Sequence, residues 1–316
     1  MMLLFTVIGE AASKNQQSFD YRIVLVAILL GALFINATTV NDIADEKIDK
    51  VNLVSDKSRP LVTSQVKKND LKILSLFSLF LAIIAAFLIK PILILLVIIS
   101  VIISYTYSMP PAKISYRGFL APLYLSISYV VIPYIIGISL HTEGINSENM
   151  VLLLGLYISF IGRIILKDFR DVKGDKMYGK RTFLVRYGPK ITCEAAGIAW
   201  IIGDLIISNL YVLTHPLMVI LLQPFIISIL FTLHRLANEK SLVSQLILVS
   251  LIGRLGNSVA LSILTVLTLR FYNYSIFWNS TLLIIVFLVG SYTSYYLYAL
   301  YIQQLNVSKH YEISKS

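Results

Sequence analysis

Nine stretches of this chain stay apolar for about the length of a bilayer crossing, and that recurrence limits the fold more than any other feature. They lie at 21–40, 71–89, 91–108, 119–140, 150–167, 191–213, 216–234, 243–269 and 276–302, most of them near the ~20 residues that cross the hydrocarbon core. Each is apolar all round rather than on one face. Lipid offers no partner to an unpaired backbone amide, so such segments must be helices. Composition agrees: 57% of the 316 residues are hydrophobic and only 14% are charged, far from a soluble domain's balance. Linkers are short and no low-complexity tract interrupts them. The expectation is an all-α, polytopic membrane helical bundle of about nine transmembrane helices, forming one domain over residues 1–316. Residues 303–316 read as a cytoplasmic tail. Within residues 1–20, Met1–Ala12 is apolar but too short to span and lacks a signal peptide's basic start. It reads as an interfacial segment or the stump of a longer helix.

The net charge of +10 invites a nucleic-acid reading, but its placement argues against one. Threading alternate loops puts Lys47, Lys50, Lys113, Lys167, Arg170, Lys180 and Arg181, with most other bases, on one side of the membrane. The other side receives only Lys14, Arg22, Lys90 and Arg270. This is the positive-inside pattern, so the basic loops face the cytoplasm and the chain belongs in the inner, cytoplasmic membrane. Cys193 stands alone, which excludes an intrachain disulfide and a cysteine-rich metal site. His141, His215, His234 and His310 show no metal-ligand spacing and take no role.

Two polar segments carry the same acidic ruler, Asp-x-x-Asp-x-x-x-Asp. The first set is Asp42, Asp45 and Asp49; the second, 126 positions later, is Asp168, Asp171 and Asp175. At about 100° per residue the third carboxylate returns to within roughly 20° of the first, with the second about 60° away. Like charges crowded on one helix end beside lipid do not stay ionised together without cations. The second segment, KDFRDVKGDKMYGKRTFLVRYG, interleaves its acids with Lys167, Arg170, Lys173, Lys176, Lys180 and Arg181. Acids to hold Mg²⁺ and bases to hold phosphate oxygens are the requirements of a diphosphate site. Asn41 can donate its amide to a phosphate or cap the helix end, and Arg59, before the helix-breaking Pro60, can reach back over the site. An ordinary basic loop with internal ion pairs explains the cations but not the repeated acidic spacing. Two bases fall inside apolar runs. Arg163 can hold an acceptor or the diphosphate, or simply neutralise the acids. Arg254 either meets an anionic acceptor or snorkels to a polar cavity.

The motifs resemble those of the UbiA superfamily of intramembrane prenyltransferases. Its first signature, NDxxDxxxD, matches Asn41, Asp42, Asp45 and Asp49. Its DxxxD element matches Asp171 and Asp175, with Asp168 one turn earlier. GxRT matches Gly179, Arg181 and Thr182, and an RP element matches Arg59 and Pro60. YSMPPAKISYRG resembles the YSxPP…K…G loop of several branches, placing Tyr107, Pro110, Pro111, Lys113 and Gly118. The resemblance covers the chain from about Tyr21 to the late spans. It implies a helical bundle around a central cavity, Mg²⁺ as cofactor and a polyprenyl diphosphate donor. The family pattern places a helix ahead of the first motif-bearing one, where this chain has only Met1–Ala12. The YSMPP and KDFRDVKGD segments look closer to branches serving lipid-quinone precursors, chlorin rings or glycerol-phosphate lipids than to the hydroxybenzoate branch.

The expected activity is Mg²⁺-dependent transfer of a polyprenyl group to an aromatic or lipid acceptor within the membrane, the partners being donor, acceptor and membrane lipid. All six aspartates are the expected metal ligands and catalytic groups. Asn41, Arg59, Tyr107, Lys113, Arg163, Lys167 and Arg181 are the expected substrate contacts. Tyr105, Tyr107, Tyr124 and Tyr129 are candidates to face an allylic cation, at roughly 0.5–2 kcal/mol each. Two alternatives stand beside this reading: a cation-coupled transporter using acidic helix ends, and a phosphoribosyl-transferring member of the same family.

Overall fold

The computed structural model describes residues 1–13, 22–52, 60–141, 146–214, 216–272 and 276–313. Helices dominate: α1 (Met2–Ser13), α2 (Ile23–Asn52), α3 (Lys68–Ile89), α4 (Leu93–Ser108), α5 (Leu120–Ser126), α6 (Ile132–Ser139), α7 (Ser147–Ile164), α8 (Val172–Met177), α9 (Phe183–Tyr211), α10 (Pro216–Asn238), α11 (Leu242–Tyr272) and α12 (Ile276–Ile313). Among the described residues two short strands occur, β1 (Arg117–Gly118) and β2 (Arg181–Thr182). Among the described residues, eight helices are long and apolar enough to cross a membrane. The stretch expected at 91–108 is instead α4, 16 residues long and so only ~24 Å. A turn at Lys90–Leu93 takes its first residues. Residues 303–313, read as tail, continue α12.

The chain divides into two compact units, residues 1–149 with 171–186, and residues 150–170 with 187–316. In the first unit, α2 packs Val26, Leu29 and Leu33 against the alanine face of α3, where Ala82, Ala85 and Ala86 are almost fully buried. Small side chains let the two backbones approach, the usual basis of helix association where lipid removes the hydrophobic drive. Across the same contact the Asn36 amide donates to Ser75 Oγ at 2.8 Å. The opposite face of α3 exposes Leu76, Phe77, Phe80 and Phe87, each at least 60% accessible. Water does not tolerate an apolar face of that size; lipid does.

The segment Met1–Ala12 is helical and buried rather than peripheral. α1 lies against α6 so closely that a Cβ on Gly137 would stand 2.0 Å from the carbonyl oxygen of Thr6. Between α5 and α6, Ile127–Val131 forms a π turn just before Pro133, whose ring cannot donate and displaces the preceding turn. At the C-terminal end of α6 the Arg22 guanidinium donates to the Leu140 carbonyl at 2.5 Å, and Lys90 Nζ donates to the Ser139 carbonyl. These cations satisfy carbonyls that a helix end leaves open.

In the second unit, α7 and α9 meet along a stripe of small residues. A Cβ on Gly203 would lie 2.0 Å from Ser159 Oγ and 2.8 Å from the Gly155 carbonyl oxygen. α9 begins with a short turn, breaks at Gly188 (φ 79°), and resumes after Pro189. Replacing Gly203 with Leu must force α7 and α9 apart, at a cost on the order of 1–3 kcal/mol or more. Gly203→Leu is expected to lower the thermal midpoint of the detergent-solubilised protein by several degrees, measured by fluorescence-detected gel filtration after heating.

Candidate active site

Helix α2 runs twelve residues past the end of the apolar stretch expected at 21–40, which puts Asn41, Asp42, Asp45 and Asp49 on one continuous helix. Asp45 and Asp49 are buried, and Asp42 and Asn41 are half-buried. The Asn41 amide donates to Asp45 Oδ2 at 3.2 Å and approaches Ser108 Oγ at 3.4 Å. Glu46 and Lys50, on the outward side of the same turns, form an ion pair at 2.8 Å, with Lys68 pairing to the other Glu46 oxygen at 2.6 Å. These exposed pairs contribute little to stability.

The second acidic set is not on one helix. Ile165–Arg170 is a 3-10 segment. Asp171 takes a non-helical conformation (φ −107°, ψ 5°) at the start of α8, so the rotation expected from α-helical spacing does not apply. Asp168 belongs to the second unit, where Lys167 Nζ pairs with its Oδ1 at 2.8 Å. Asp171 and Asp175 belong to the first unit with Asp42, Asp45 and Asp49. Five of the six carboxylates therefore lie in one unit and Asp168 in the other. Two of those five, Asp45 and Asp175, share a partner.

They meet through a lysine. Lys180 Nζ lies 2.7 Å from Asp45 Oδ2 and 3.8 Å from Asp175 Oδ1, with 8%, 6% and 1% of the three side chains exposed. Two backbone tethers place it. The Gly174 amide donates to the Asn52 side-chain oxygen at 2.5 Å, which ties α8 to the last residue of α2. A Cβ on Gly174 would meet that Asn52 side chain at 2.7 Å, so a larger residue here would push the Asn52 amide from its present place. Strand β2 then pairs in parallel with β1, Arg117 opposite Arg181 and Gly118 opposite Thr182. This joins the third polar loop to the residues beside Lys180.

That loop brings in Tyr116. Lys113 adopts a left-handed conformation (φ 39°) and its Nζ stands 4.8 Å above the Tyr116 ring. Burial pushes the Tyr116 phenol above its ordinary value of 10.0; the negative charges of Asp45 and Asp175 add to the rise and Lys180 opposes it. Neither Lys180 nor Tyr116 stood among the residues expected from sequence. Lys180 looked like one more base in a basic loop, and only the GKRT context could have drawn attention to it.

The remaining expected residues divide. Tyr107 is buried on α4, and Arg181 is exposed on β2. Tyr105 is 49% exposed, and Tyr124 shares a 2.7 Å hydrogen bond with Thr106. Arg59 lies outside the described residues. In the second unit, Arg163 donates to Asn257 Oδ1 at 2.5 Å and lies 5.9 Å from the Phe160 ring centroid, while Arg254 is exposed on α11. Cys193 is a buried free thiol. His141 Nε2 lies 3.7 Å from Glu10 Oε1 in the first unit, a pairing the sequence did not suggest.

Among the described residues, no three His, Cys, Asp or Glu side chains are gathered tightly enough to form a metal cluster. The donor chemistry nonetheless suits a hard dication, because Mg²⁺ takes one or two carboxylates and completes its shell with phosphates and water. Asp45 and Asp175, already sharing one cation, offer that pair.

Comparison with known proteins bears on this geometry. The family model of the UbiA prenyltransferase family matches residues 2–248. The chloroplastic chlorophyll synthase of Oryza sativa subsp. japonica is 30% identical over 196 residues, 57% of this chain and 50% of that protein. The digeranylgeranylglyceryl phosphate synthase of Methanocaldococcus jannaschii is 28% identical over 188 residues, 58% of this chain and 62% of that protein. The aligned chain thus spans roughly half to two thirds of these relatives. Among solved structures, one from work on digeranylgeranylglyceryl phosphate synthase in membranes superposes with a TM-score of 0.63 at 22% identity, covering 85% of this chain and 93% of the other. A UbiA homologue from Archaeoglobus fulgidus bound to DMAPP and Mg²⁺ gives a TM-score of 0.61 at 18% identity, covering 82% and 94%. These likenesses show a shared fold, and the chain is an integral, multi-pass membrane protein.

A raised Tyr116 pKa has a signed consequence. The neutral phenol is favoured in the folded protein, so its contribution to stability is complete below pH 10 and is lost as pH rises through the higher folded value. Subtracting the tyrosinate absorbance titration of Tyr116→Phe from that of the parent chain is expected to reveal one phenol that ionises later than an exposed tyrosine.

Proposed function

The chain belongs to the UbiA prenyltransferase family, and from that premise we propose that it transfers a prenyl group from a prenyl diphosphate to a lipid or ring acceptor within the membrane. The observation that carries this reading is the meeting of Asp45 and Asp175, one from each acidic segment, on a single buried cation. Buried acids sharing Lys180, with Lys113 and Arg181 on the segments that the paired strands join, at the polar end of an apolar helix, suit a diphosphate headgroup with an isoprenoid tail.

Asp45 and Asp175 would hold Mg²⁺, with Asp42, Asp49 and Asp171 of the same unit supporting them. Bound Mg²⁺ supplies the charge that stabilises a departing diphosphate. The protein contributes orientation: α2 and α8 fix the carboxylates, while Lys113 and Arg181 offer donors to phosphate oxygens. Arg59 is proposed as a further donor contact; in the second unit, Arg163 and Lys167 are proposed as substrate contacts and Asp168 as a metal ligand. Positive-inside placement of the basic loops supports a site on the cytoplasmic face.

The relatives named chlorophyll synthase and digeranylgeranylglyceryl phosphate synthase make chlorin and glycerol-phosphate lipid acceptors the first to test, with quinone precursors next. Purified protein supplied with labelled geranylgeranyl diphosphate and this panel is expected to prenylate one acceptor class in Mg²⁺ and none in EDTA. Asp45→Asn and Asp175→Asn are each expected to lower turnover by about 10²–10³, the scale on which removing one preorganised stabilising group acts, with the gel-filtration profile unchanged. Undiminished turnover in both variants would reject the assignment. Flux of cations across liposomes without any diphosphate would favour the transporter reading instead.

A further inference from the structure

We infer that Lys180 is a built-in counter-ion: its ammonium holds the carboxylates of the two acidic segments together in the metal-free protein and gives them up when a divalent cation binds. The inference rests on the metal-site reading above, but it concerns a residue of this chain that neither the acidic spacing nor the resemblance marked.

The geometry leads there in three steps. First, Asp45 and Asp175 are 5% and 1% exposed, and carboxylates so far from water cannot remain charged side by side without a compensating cation. Second, the compensating group is in place: Lys180 Nζ is 2.7 Å from one and 3.8 Å from the other, itself almost wholly buried. The Asn41 amide donates to the same Asp45 oxygen that Lys180 contacts, so that oxygen's acceptor capacity is directed at cationic and donor groups already. Third, Asp45 Oδ2, which accepts from the ammonium at 2.7 Å, is an oxygen a dication would take, whereas Asp175 Oδ1 at 3.8 Å stands at ion-pair rather than hydrogen-bond distance. A dication ligated by Asp45 Oδ2 would displace the ammonium from that oxygen.

Lysine is suited to this exchange. Its ammonium is a compact point charge on a flexible four-carbon stem, so it can swing aside without moving the backbone. The Asn52–Gly174 and β1–β2 tethers keep that backbone fixed. Swung clear, the ammonium remains beside the phosphate region and adds a donor there. The parent chain therefore pays for each metal ion by releasing its own cation, which lowers metal affinity and keeps the acids from repelling one another between turnovers.

The test uses the full-length, detergent-solubilised chain without substrate and Mn²⁺ as the probe, read by the electron paramagnetic resonance of free and bound ion. Lys180→Met removes the competing charge at similar length. It is expected to bind Mn²⁺ at least about fivefold more tightly than the parent, the lower edge of typical coupling between competing ligands. Its thermal midpoint in EDTA is expected to fall by several degrees and to recover more than the parent's on adding Mg²⁺. A folded Lys180→Met chain with unchanged or weaker Mn²⁺ binding would overturn the counter-ion role while leaving the metal site standing. Mn²⁺ binding by neither chain would overturn both. A second readout needs no variant: mass-spectrometric acetylation of Lys180 in the parent chain is expected to rise in Mg²⁺ relative to EDTA. No rise would count equally against the exchange.

Discussion

Two buried carboxylates sharing one ammonium set the terms for everything around them. Isolated charges of this kind are costly near lipid, and an ion pair there is worth having only when its geometry is held fixed. The contact between Lys180, Asp45 and Asp175 therefore demands rigid elements on both sides. Helix α2 supplies one and α8 with β2 the other. The Asn52 side chain clips α8 to the end of α2, and the paired backbones at Arg117–Arg181 and Gly118–Thr182 bring the third loop alongside. Each tether lies within a few residues of a charged member. Loosening any of them would leave a carboxylate without its partner, a larger penalty than the loss of one hydrogen bond.

How much of this was legible in the sequence depended on whether local geometry followed the spacing. Asp42, Asp45 and Asp49 lie on a true α-helix, so the angular argument holds for them. It fails for Asp168, Asp171 and Asp175 because the chain there runs through a 3-10 segment and a non-helical residue before α8. A six-residue helix following such a break leaves no apolar periodicity to announce it. Helix count was legible for a different reason. Apolar length is a global property that lipid enforces, and only α4, shortened by the turn at Lys90–Leu93, departs from it.

Lys180 and Tyr116 were invisible for an instructive reason. A positive-inside loop supplies many lysines, and nothing in composition separates the one that turns inward from the neighbours that face water. Burial makes the distinction: Lys180 is almost inaccessible, whereas Lys173 and Lys176 in the same segment are exposed. The pairing partner 135 residues away is a tertiary fact. The same holds for the Glu10–His141 and Asp204–Gln223 contacts, each between polar residues of separate segments whose meeting depends on how those segments pack.

The apolar and polar halves of the first unit are consequently not independent. α2 is continuous from Ile23 to Asn52, so the rotation of its acidic end is set by the packing of its lipid-embedded end. Val26, Leu29 and Leu33 lie against the alanine face of α3, and Asn36 fixes the phase through Ser75. A slip of one residue in that packing would rotate Asp45 by about 100°, away from Lys180 and toward the side now occupied by Glu46 and its exposed lysines. Small residues at the α2–α3 contact therefore determine more than how closely two helices pack. They set the direction in which the carboxylates point, and through it which cation the carboxylates can hold.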